Sequence, residues 1–75
     1  MATRYEYNGE YAIKFDSPIY EHKESVELYD CLNWKMLDTT DYSVNELAEI
    51  AWEVSASGRH ISEEEFNNLI NKKRD

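Results

Sequence analysis

Two stretches in the second half of the chain repeat apolar residues at helical spacing. Val44, Leu47, Ala48 and Ala51 share one face of a helix, with Ile50 and Val54 beside it, and Phe66, Leu69 and Ile70 share one face of another. Each stretch opens on the same start signal. Ser43 with Glu46, and Ser62 with Glu65, have the spacing of a capping box, in which hydroxyl and carboxylate each satisfy a free backbone N–H. Tyr42 with Leu47, and Ile61 with Phe66, have the spacing of a hydrophobic staple. The first helix is predicted over about 44–56, ending at Gly58, and the second over about 63–73. Three glutamates stand at the start of the second helix and Lys72, Lys73 and Arg74 at its end, the order that a helix dipole prefers.

The first half reads differently. Residues 3–15 alternate around Asn8-Gly9 and predict a β-hairpin. If one face of the hairpin is apolar, a three-residue loop, Tyr7-Asn8-Gly9, fits best. It pairs Tyr5 with Tyr11 and Thr3 with Ile13, and places Arg4, Glu6, Glu10, Ala12 and Lys14 on the other face. Ser17-Pro18 punctuates a connector over 16–24. Residues 25–37 fit two patterns. Leu28, Cys31, Leu32 and Met36 make a helical stripe; Val26, Leu28, Leu32, Trp34 and Met36 alternate as in a strand, broken at Asp30. The helix is the reading adopted here, with a third strand as the alternative. The expected fold is α+β, a single domain over 1–75 in which an N-terminal antiparallel β-hairpin packs against two or three α-helices.

Charge changes this picture of an ordinary small domain. Sixteen acids stand against eight bases, and between Asp16 and Glu53 there are ten acids and two bases, a net charge of −8. On the first helix Glu46, Glu49 and Glu53 fall within roughly 60° of one another. No lysine follows them at the spacing that would form ion pairs within the helix. If 21–30 were helical, Glu21, Glu24, Glu27 and Asp30 would extend this into a negative band, with Asp38 and Asp41 between. One reading of such a band is a solvated surface that keeps a small protein in solution. The other is recognition of a basic surface, because carboxylates on a rigid scaffold can stand where phosphates would.

The chain offers little for chemistry. It has one cysteine, Cys31, and two isolated histidines, His22 and His60, with no zinc-like spacing. Cys31 could meet a histidine only through the fold, and a lone cysteine on an apolar stripe is usually packing. Two glycines cannot make a phosphate-binding loop. The run from Gly58 to Phe66 glances at the end of a calcium-binding loop, but its upstream ligand positions fall on Val54, Ala56 and Gly58. A helix-turn-helix reading would lead Glu63, Glu64 and Glu65 into the phosphates of DNA, with the wrong sign. The expectation is a non-enzymatic protein with no cofactor, no metal, no direct contact with nucleic acid and no membrane segment, located in the cytoplasm. It would be a monomer or a small homo-oligomer.

In size, acidity and lack of catalytic motifs the sequence resembles the small acidic inhibitors of phages and mobile elements, including nucleic-acid-mimicking anti-restriction and anti-CRISPR proteins. That resemblance implies a basic, nucleic-acid-handling partner. It rests on no shared motif, so the candidate contact residues come from this chain alone: Glu46, Glu49 and Glu53, joined by Asp38, Asp41, Glu27 and Asp30, with Trp34, Trp52 or exposed tyrosines as an apolar anchor. An adaptor or transcriptional regulator binding through an apolar helix face, and a small oligomerising subunit, are the alternatives.

Overall fold

A computed structural model describes residues 2–71. Within them, the N-terminal hairpin is β1 (Ala2–Tyr7) and β2 (Tyr11–Ser17), followed by β3 (Glu27–Asp30) and β4 (Lys35–Leu37). Then come α1 (Val44–Ser57), a two-residue strand β5 (Arg59–His60) and α2 (Glu63–Asn71). The strands form one antiparallel sheet in the order β4-β3-β2-β1-β5. The fold is α+β with two α-helices among the described residues. The end predicted for the second helix, with Lys72 to Arg74, lies outside them.

The predicted helix over 25–37 is instead two short strands and a turn. Asp30, the residue that breaks the alternation, makes the turn. Its Oδ1 accepts the backbone N–H groups of Leu32 (3.0 Å) and Asn33 (3.1 Å), and its Oδ2 accepts the Asn33 side-chain amide (2.8 Å). A carboxylate taking the N–H groups two and three residues on offers the backbone a turn in place of a helix. Trp34 closes the turn at φ +58, in the left-handed region that side chains larger than glycine seldom occupy.

Alternate residues of the sheet enter two different cores. Ile13 and Leu28 pack with Leu47, Ala51 and Val54 of α1. Ala12 and Tyr29 pack with Ile61 and with Phe66 of α2. The helices therefore lie on opposite faces of the sheet. This corrects the expected hairpin register, which assumed one apolar and one polar face. The turn residues are Gly9 and Glu10, with Gly9 at φ +94, and β1 pairs with β2 as Glu6 to Ile13, Tyr5 to Lys14 and Arg4 to Phe15. Asn8 closes the turn. Its N–H donates to the Tyr11 carbonyl (3.2 Å), and its Oδ1 accepts the N–H groups of Glu10 and Tyr11 (both 2.9 Å). With both faces covered, a purely apolar face is no longer what selects the register.

Both capping boxes form. Glu46 N–H donates to Ser43 Oγ (3.1 Å) and Ser43 N–H to Glu46 Oε1 (2.8 Å); the Ser62–Glu65 pair repeats the pattern at 3.1 and 3.4 Å. Gly58 ends α1 for a reason other than a left-handed turn. Its φ is −131, and a Cβ built there would lie 2.1 Å from the Tyr7 carbonyl oxygen. Glycine lets the end of the helix rest directly on the β1 backbone.

Candidate partner-binding face

A five-stranded sheet is roughly 19 Å wide at the usual strand spacing, while a helix with its side chains covers about 10–12 Å. One helix cannot cover the face. α1 lies over β1, β2 and β5, so the β3–β4 half is left as the floor of a groove beside it. Leu28, Leu37, Tyr11, Tyr42, Ile50 and Val54 line this groove, of about 440 Å³, with Glu10 and Glu53 at its rim. A shallower hollow of about 260 Å³ shares Tyr42 and Ile50 with it and is edged by Glu46, Glu49 and Glu53.

The three glutamates thus form the exposed ridge of α1, as their spacing predicts. The core face of the helix is held by Leu47, Ala51 and Val54, so the ridge has a fixed orientation. Glu46 also serves the capping box. Among the described residues, the side chains of Glu49 and Glu53 have no ion pair and no hydrogen bond, and α1 itself contains no lysine or arginine.

The remaining candidates scatter. Asp38 and Asp41 sit in the turn leading into α1, where Asp38 accepts the N–H (3.0 Å) and hydroxyl (2.6 Å) of Thr40. Those bonds hold its carboxyl below the usual range. Glu27 pairs with Lys14 (3.4 Å) on the opposite face of the sheet, in register with Tyr5. Asp30 is committed to its turn, and the Asn33 amide leads the bonds that lower its pKa. The band expected along 21–30 does not form, because strand geometry sends Glu27 and Asp30 to opposite faces. Trp34 is exposed on the turn between β3 and β4.

Trp52 lies on the other flank of α1 and is 71% exposed. It lines a cleft of about 600 Å³ with Tyr20, Phe15, Ile19, Ala48 and Glu49. Tyr20, 62% exposed, is one of the tyrosines that the sequence offers as possible anchors, but nothing singles it out there, since it sits in the connector with no periodic pattern around it. Tyr42 and Ile50 were legible only as packing residues. Glu49 is common to both sides of the ridge.

Two features are absent among the described residues. No cluster of three metal-ligating side chains occurs among them, and no described helix is long and apolar enough to cross a membrane. Burial, with the Asp30 carboxylate nearby, pushes the Cys31 thiol away from its reactive thiolate form. Compared with known proteins, the chain matches no family model, no curated sequence and no solved structure.

Proposed function

We propose that this protein is a non-enzymatic binding module whose α1 ridge docks on the basic surface of a nucleic-acid-handling partner and occupies the place of nucleic acid. The observation that carries the reading is the row Glu46, Glu49 and Glu53: exposed, uncompensated within the helix, and fixed by a capped helix pinned to its core. Carboxylates three and four residues apart recur roughly every 5 Å along the axis, on the order of the 3.4 Å rise per phosphate of one DNA strand. A field of this sign would also steer the encounter and make it sensitive to salt. An inhibitor of the anti-restriction or anti-CRISPR kind is the specific form this function would take.

The test is capture of partners from a host lysate at low salt and again at about 1 M salt, where the Debye length falls to roughly 3 Å. The expected result is one nucleic-acid-handling protein that elutes with salt and is not captured by the Glu46→Lys/Glu49→Lys/Glu53→Lys variant. Capture that survives high salt, or that is equal for the variant, overturns the proposal. The exposure of Trp52 favours a second reading, an adaptor or regulator held through apolar contact, and salt-resistant capture is its signature.

A further inference from the structure

The cleft on the Trp52 flank of α1 combines features that the acidic ridge alone does not have. Its walls include two of the most exposed large side chains among the described residues, Trp52 and Tyr20. Exposed aromatics that share one concavity mark contact sites more often than scattered ones do. Its floor is apolar, with Phe15, Ile19 and Ala48. Among the described residues, its one acidic side chain, Glu49, has no partner and no cation lines the cleft.

We infer that this cleft is an arginine-anchoring site. The inference rests on the reading of a basic partner and names the side chain that such a partner would insert. A guanidinium is planar and weakly hydrated, stacks on aromatic faces, and matches a carboxylate with two parallel N–H donors. Its methylene stem would lie on the apolar floor. Other occupants fit less well. An apolar side chain would strip water from the Glu49 carboxylate without replacing its hydrogen bonds. A second copy of this chain would bring another net −8 against the first. A lysine ammonium is compact and strongly hydrated, and it uses flat aromatic walls poorly.

The probe is acetyl-glycyl-arginyl-glycinamide, titrated into the isotopically labelled full chain, with the Trp52 indole N–H followed by NMR and assigned with a Trp52→Phe variant. The expected result is a saturable shift at millimolar peptide. Binding should be about fivefold weaker for the lysine peptide, and absent for the citrulline peptide, which keeps the shape and loses the charge. Tyr20→Ala, whose spectrum would show whether the fold is intact, should weaken arginine binding about tenfold. A silent Trp52 signal, equal binding of citrulline, or a shift that follows protein concentration without peptide overturns the inference. The two proposals fail separately. A salt-released partner with a silent Trp52 removes only the arginine site. A saturable arginine shift with no salt-released partner removes only the reading of the ridge.

Discussion

Glu6 shows how much one side chain can depend on its neighbours. It is 1% exposed, and its carboxylate oxygens are closed off from water without a well-formed hydrogen bond. What stands against its charge is contact with His60 Nδ1 and with Arg4 Nε at 3.6 Å. Because Glu6 pairs with His60 across β1 and β5, this contact also ties the edge strand to the sheet. Leaving a buried polar group without its partner costs roughly 1–3 kcal/mol, and with Arg4 still beside the carboxylate the loss of the largely exposed His60 should fall at the lower end. Denaturant unfolding of His60→Ala should show that loss, and Glu6→Met in the same background should recover most of it. No recovery would mean that His60 acts through the strand and not through the carboxylate. Gly58 is a second residue with no tolerance. The atoms that a Cβ would meet are backbone, so they cannot swing aside. Gly58→Ala should cost about 2 kcal/mol and lower Tm by roughly 8–15 °C in a scanning calorimeter. The glycine was legible as a helix stop, but its actual reason, contact with Tyr7 at the end of β1, 51 positions away in sequence, was not.

Among the elements, the helices and the N-terminal hairpin were legible, while the hairpin's register and the strands after it were not. A capping box and a staple are local devices, complete within six residues, so Ser43–Glu46 and Ser62–Glu65 could be read directly from the chain. β3 and β4 depend on Asp30 closing a turn and on partners in β2. β5 has two residues and no pattern of its own. The Asp30 turn has a pH signature. Hydrogen bonds from Asn33 hold the folded carboxyl below its ordinary value, so their contribution is present above the ordinary carboxylate range and is lost as pH falls through the lower, folded value. Between neutral pH and about pH 2, wild type should lose more stability in urea titrations than Asp30→Asn, which has no carboxyl to protonate. Equal losses would remove Asp30 from the acid response and leave it to other carboxyls, such as Asp16 and Asp38, whose hydrogen bonds also lower them.

At the scale of the molecule, all of the net charge lies in one stretch. Outside residues 16–53 the chain carries six acids and six bases; inside, ten acids and two bases. Folding brings part of that stretch together on and beside α1 and sends part of it, Glu27, to the other face. Self-repulsion of this kind weakens the compact state and is screened by salt. Raising the ionic strength from about 0.01 M to about 1 M shortens the Debye length from roughly 30 Å to 3 Å, and Tm should rise by about 4 °C or more. A flat or falling Tm would show that the carboxylates are already relieved in the folded state. Salt is thus expected to strengthen the fold while it releases the partner, so loss of binding at high salt could not be attributed to unfolding.

The amino-acid order alone determined the two helices, their caps, the hairpin near the N-terminus and the ridge of three glutamates, because each is set by residues within a turn or two of one another. The tertiary structure decided the strand register, the third and later strands, and which flank of α1 meets which aromatic. A hairpin with one covered face would sort polar from apolar residues, but a sheet with a helix on each face buries both sets. The rule that reads register from alternation then has nothing to act on. Tyr20 and Trp52 stand 32 positions apart, and only the packing of the connector against α1 places them on one cleft.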